Sequence, residues 1–296
     1  MPKLTPITRI LRQKMQNGET FVIDEPAQKL PEYENPPINE VACGILFVPM
    51  PQFLNAYLGL LWEKYRSQYP NCQETGPIMP VIERFDGTGS VPQPVPWEEA
   101  PFFTRTWFVD TAGTGLIQIQ RDRFLTNWRK LNPSDEYPRY HTVIEKFRQG
   151  FSTFEAFIDE HHLGPFQPLQ YELTYVNHIL NGEGWDSIAD INKVFPDLAW
   201  RETTERFLPM LENVGWNGSF VMPNQLGRLH AKVQTVKRKS DGRKALMLDL
   251  TVRGIGSDPT RESMFQWFEL AREWIVRGFA DLTSDHIQNS IWRRLP

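Results

Sequence analysis

The stretch LIQIQRDRF, residues 116–124, decides the fold. In an extended chain successive side chains point to opposite sides, so Leu116, Gln118, Gln120, Asp122 and Phe124 fall on one face, and Ile117, Ile119, Arg121 and Arg123 on the other. The stretch follows RTWFVD (105–110) across a Gly-rich turn at Thr111–Gly115, which reads as a hairpin. A strand with one face of amides and a carboxylate belongs to an antiparallel sheet with one polar side.

Elements of the same kinds flank it. EVACGILFV (40–48) reads as a strand, and residues 52–66 as a helix carrying Phe53, Tyr57, Leu60 and Leu61. Residues 71–103 hold Pro77, Pro80, Pro92, Pro94, Pro96 and Pro101 and read as irregular; loops of that length are often functional. Tyr137 to His162 is a helix with apolar positions at Tyr140, Ile144, Phe147, Phe151 and Phe154. The second half repeats the order: a strand at 169–179, a short helix at 185–198, strands at 218–222, 228–238 and 244–253, and a helix at 262–292. Lys239–Gly242 is the turn between the last two strands.

The halves can be laid over each other at offsets near 130 residues. Glu40-Val41-Ala42 matches Glu172-Leu173-Thr174, Leu116-Ile117 and Arg123 match Leu246-Met247 and Arg253, and Gly150-Phe151 matches Gly278-Phe279. The expected fold is α+β: two tandem β-α-β-meander-α repeats, 38–164 and 165–296, after an N-terminal arm, 1–37. Their antiparallel sheets carry long helices on one face, in a saddle-like arrangement.

Acidic residues number 36 against 32 basic ones, for a net charge of −4, which weighs against a generic nucleic-acid binder. Ten Trp and nineteen Phe supply a large core and exclude global disorder. No apolar run approaches the ~18 residues of a membrane helix, and the first residues lack the apolar core of a signal peptide. Cys43 and Cys72 form no CxxC, so reduced thiols in a cytoplasmic protein are expected, with no zinc ribbon. In the arm, Ile7, Ile10, Leu11 and Met15 share a helical face that either packs on the body or docks on a protein partner.

NPPINEV (35–41), QIQRDRFLTNW (118–128) with YPRY (137–140), and YVNHI (175–179) resemble the motifs of a sporadically distributed, uncharacterised bacterial family of about this length. The resemblance runs from about Asn35 to the C-terminus. It implies no activity; the family's patchy distribution implies mobile-element or defence islands.

The residues that could carry chemistry are few. Gln118 and Gln120 offer directional donors and acceptors, either as solvated sheet surface or as a polar binding surface. Asn177 interrupts the apolar stripe Leu169, Tyr171, Leu173, Tyr175 and Ile179, either bonding a neighbouring backbone or contacting a ligand at the repeat junction. Arg123 is a second choice, because one continuous strand aims it away from the glutamines. Asp159, Glu160, His161 and His162 have the look of metal ligands but lack the third or fourth group and its support, so no metal is expected. No nucleophile elbow, dinucleotide fingerprint or Walker lysine occurs, and no cofactor is expected.

Lys237, Arg238, Lys239, Arg243 and Lys244 make a basic hairpin tip, either solubilising or in contact with phosphates. The expected function is a non-catalytic binding or adaptor protein of a bacterial accessory system, defence-related, with a protein partner held through residues 1–37. The alternative is a nucleic-acid-binding component with nuclease chemistry, contacting nucleic acid through 237–244. No membrane partner is expected.

Overall fold

A computed structural model describes residues 29–86, 91–92, 105–200, 206–238, 241–256, 258 and 260–296. Its strands are β1 (Ile38–Phe47), β2 (Asn71–Thr75), β3 (Val81–Ile82), β4 (Val91–Pro92), β5 (Arg105–Val109), β6 (Gly115–Gln120), β7 (Arg123–Arg129), β8 (Pro168–Leu180), β9 (Gly215–Val221), β10 (Gly227–Lys237) and β11 (Lys244–Gly254). Its helices are α1 (Ala56–Tyr65), α2 (Tyr140–Glu160), α3 (Ile191–Val194), α4 (Arg261–Leu282) and α5 (Asp285–Ser290). The α+β expectation holds.

Nine strands form one antiparallel sheet in the order β2-β5-β6-β7-β1-β8-β11-β10-β9, and β3 pairs separately with β4. β1 and β8 meet at the seam, with Ala42 opposite Thr174 and Cys43 opposite Leu173. On either side the chain order is mirrored: β7, β6, β5 outward from β1, and β11, β10, β9 outward from β8. The match of Leu116-Ile117 with Leu246-Met247 does not follow this order. β11 lies beside β8, so its positional counterpart is β7 and not β6.

The alternation of each strand decides what it buries. Val41, Cys43 and Ile45 of β1, Leu173 and Ile179 of β8, and Leu248, Leu250 and Val252 of β11 all enter one apolar core under α2 and α4. A Cβ at Gly150 of α2 would lie 3.3 Å from the Phe124 ring, and one at Gly278 of α4 would lie 2.8 Å from Leu229. Glycine therefore sets the close approach of both long helices to the sheet. Phe147 joins the two helices, its ring 5.0 Å from that of Phe268 and 5.9 Å from that of Phe124.

Several parts of the chain differ from the sequence reading. Residues 71–75, in the stretch read as irregular, form β2 and pair with β5 at the edge of the sheet. Residues 116–124 are two strands, because the chain reverses at Arg121–Asp122 and pairs Gln120 with Arg123. The helix expected over 262–292 stops at Leu282: Thr283 turns extended, and Ser284 caps α5 by accepting from the Ile287 amide. The helix expected over 185–198 shrinks to a 3₁₀ turn and the four residues of α3. Residues 29–37, assigned to the arm, lie along the C-terminus: Tyr33 is buried, its hydroxyl donates to Gln288 Oε1 at 2.9 Å, and Tyr33 bridges Arg294. Residues 1–28 lie outside the described residues.

Candidate functional site

The helix-free face of the sheet is polar, and side-chain amides organise it. The tight turn at 121–122 sets Gln120 directly opposite Arg123, and residues opposite each other share a face. Arg123 therefore stands on the same side as Gln118 and Gln120, and Phe124 on the core side with Ile119, which corrects the opposite placements drawn from a continuous strand. Gln118, Gln120 and Arg123 are all buried, not solvated. Gln118 Oε1 accepts from Trp107 Nε1 at 2.9 Å and from Arg105 at 3.1 Å, and its Nε2 donates to Asn127 Oδ1 at 2.8 Å. Asn127 passes the chain on, donating to Glu40 Oε1 at 2.6 Å. Among the described residues the buried Nε of Arg123 has no hydrogen-bond partner.

Two glutamines treat another part of the chain as if it were a strand. Gln120 accepts from the Ile78 amide at 2.9 Å and donates to the Ile78 carbonyl at 3.0 Å. Gln170 of β8 does the same one step on, accepting from the Glu83 amide at 2.9 Å and donating to the Val81 carbonyl at 2.9 Å. The Glu83 carboxylate then reaches β10, where it bonds Arg228 and lies 2.6 Å from His230 Nε2. Arg228 also donates to the Arg84 carbonyl at 3.0 Å. Part of the proline-rich stretch, from Ile78 to Arg84, thus crosses the sheet from β6 to β10, gripped through its peptide groups. Nothing in the local sequence of β6 or β8 names this occupant. The signal available was only that Gln118, Gln120 and Gln170 are amides on sheet faces.

Beyond the crossing segment one row of the ladder runs Arg129, Glu40, Val176, Asp249, Lys232. Two carboxylates flank Val176, roughly 10 Å apart by strand spacing, each with a cation outside it. Burial pushes the Glu40 carboxyl above its ordinary range, against the Asn127 hydrogen bond and the Arg129 charge. Burial does the same to Asp249, against a hydrogen bond from Thr251. A carboxyl raised in the folded state binds its proton more tightly there than in the unfolded chain. Stability therefore falls as pH rises from the ordinary carboxylate range through the raised value. Glu40→Gln should gain stability over the parent near about pH 7 and gain little near about pH 4. Urea unfolding at both pH values checks this, and an equal gain at both would contradict it.

Compared with known families, curated proteins and solved structures, the chain matches none.

The remaining expected site residues scatter. Asn177 is buried on the helix-covered face, donating to the Leu248 carbonyl at 3.1 Å, so it does not converge with Gln118 and Gln120. The sheet itself separates them. In the basic hairpin Arg238 pairs with Asp241, and Arg243 donates to the Asn181 carbonyl at 2.6 Å. Lys237 faces Lys244 across the ladder, and Lys239 lies outside the described residues. Glu160 bonds Lys64 at 2.8 Å, and His161 packs on Phe157 and Tyr57. Among the described residues no three His, Cys, Asp or Glu side chains come together as metal ligands, and no helix is long and apolar enough to cross a membrane.

Proposed function

We propose that this chain is a non-catalytic binding or adaptor protein of a bacterial accessory system, working in the cytoplasm, with the helix-free sheet face as its working surface. The observation that carries the reading is the paired grip of Gln120 and Gln170 on the backbone of residues 78–83. A side-chain amide that both donates to and accepts from a peptide reads backbone and not sequence. The same chemistry suits an extended segment of a protein partner laid along the rest of the face, where Lys232, Gln234, Thr174 and the carboxylates of Glu40 and Asp249 offer further polar contacts. Two tandem β-α-β-meander-α units, joined in a saddle-like body, are the architecture we assign to this surface. The mirrored strand order and the matching glycines at 150 and 278 support it.

The test uses the full chain purified from its native host, with a partner identified by mass spectrometry. Lys232 is exposed and Gln234 half-buried, so Lys232→Ala with Gln234→Arg, which sets no second carboxylate opposite Asp249, should change stability by only about 0.5 kcal/mol each. The doubly substituted chain should lose the partner while its unfolding transition stays in place. Undiminished co-purification of the same partner by that folded variant would refute the surface.

A further inference from the structure

A cavity of about 270 Å³ lies on the other side of the sheet, between the start of α2 and the middle of α4. At ~30 Å³ per water that is roughly nine water volumes, just below the size range of small-molecule sites. Tyr175, Asn177 and Leu250 line it from β8 and β11, and Tyr33, Pro36 and Pro37 line it from the segment before β1. With Tyr137 and Tyr140 the lining holds four tyrosine rings, and Phe279 adds a fifth aromatic side chain.

Its polar groups are placed to orient a guest. Asn177 is 2% exposed, and among the described residues its carboxamide makes one hydrogen bond, from Nδ2 to Leu248. That leaves Oδ1 and one N–H uncommitted. The Tyr137 and Tyr175 hydroxyls meet at 3.3 Å, a long contact that a better acceptor or donor can replace. Arg272 lines the cavity with its guanidinium 4.6 Å over the Tyr140 ring, and it forms a loose ion pair with Glu269 at 3.9 Å, too long for a hydrogen bond, so its N–H donors are not taken up there. Arg139 is occupied, donating to the Tyr33 carbonyl at 2.9 Å. It does so from φ 69 and ψ 156, a backbone region otherwise left to glycine. The strained residue is thus one that holds the Tyr33 segment beside the cavity.

Aromatic walls alone suit either an organic cation or a flat neutral ring. The charges of the lining decide between them: Arg272 and Arg139 outnumber the one lining carboxylate, Glu32, so the wall repels a cation, and Arg272 offers a fork of N–H donors to an acid. We propose that this cavity binds a small planar aromatic acid, its ring among the tyrosines, its acid group on Arg272 and a ring substituent on Asn177. The site is separate from the sheet face described above and does not depend on a partner there.

Indole-3-acetate, indole and acetate serve as probes, with the full chain followed by calorimetric titration and thermal unfolding. Indole-3-acetate should bind saturably and raise the unfolding temperature, indole should bind about tenfold more weakly, and acetate should not bind. Arg272→Gln should bring indole-3-acetate down to the affinity of indole and leave indole unchanged. Val276→Phe, which adds bulk to the cavity lining, should weaken both rings at least about tenfold, with unfolding still cooperative. No saturable binding of either ring compound, or indole-3-acetate affinity unmoved by Arg272→Gln, would overturn the proposal.

Discussion

Replacing Glu83 by alanine is expected to destabilise the protein by about 3–5 kcal/mol, the usual cost of removing one partner from a buried ion pair. The Glu83 side chain is 3% exposed and that of Arg228 is 11%, so the guanidinium left behind has little access to water. His230 loses its contact with Glu83 at the same time. Glu83→Gln keeps a hydrogen-bond acceptor without the charge and should fall between the parent and Glu83→Ala. Because Glu83 pins the far end of the crossing segment, amide exchange at Ile78 and Glu83 should rise most in the alanine variant. Urea unfolding and residue-level exchange measure both effects. A loss below about 1 kcal/mol with exchange unchanged would show that the carboxylate is not what holds the segment.

Phe147→Ala should cost a similar amount, about 3–5 kcal/mol, by a different route. The ring is fully buried and lies among Phe124, Phe151, Phe265 and Phe268. Its removal opens a cavity where α2, α4 and the sheet meet, and the packed rings around it cannot all collapse inward. Phe268→Ala combined with Phe147→Ala should be less destabilising than the sum of the single changes, by about 0.5–1.5 kcal/mol for an aromatic pair. Strict additivity would mean that the two helices are coupled through the sheet and not through these rings.

The sequence was readable wherever one face of an element differed from the other. β8 shows its alternation because Tyr171, Leu173 and Tyr175 face the helices while Glu172 and Thr174 face the polar side. The break inside 116–124 was hidden for two physical reasons. Both faces of β6 are covered, so the burial that marks a strand end does not change there. The turn at Arg121–Asp122 needs no residue with positive φ, so it lacks the glycine or asparagine that announces most tight hairpins. The break before α5 carried a signal, Ser284 followed by Asp285, which is ordinary cap chemistry overridden by a continuous apolar pattern.

The candidate site was legible only as residue types. That Gln118 and Gln120 stand on a polar face follows from local alternation, and the structure keeps it. That Gln120 grips Ile78, and Gln170 grips Val81 and Glu83, depends on pairings between distant segments that no local pattern encodes. Asn177 was legible as an interruption of an apolar stripe. Its distance from the glutamines follows from the strict two-sidedness of a strand, because Asn177 shares its face with Tyr175 and Ile179.

The seam between β1 and β8 also fixes a schedule. Cys43 and Leu173 are neighbours across it but are separated by about 130 residues of chain. At a synthesis rate of ~5–20 residues per second, β1 waits on the order of ten seconds for its second neighbour. During that time β7, joined to β6 by a two-residue turn, can close on its inner edge, while its outer edge has only water for company. An arrested or slowly translated chain therefore leaves Val41, Cys43 and Ile45 on an open strand edge, the kind of edge that recruits other chains. The joint at the centre of the finished sheet thus cannot be made until β8 emerges, and the interval before it closes is when β1 most needs shielding.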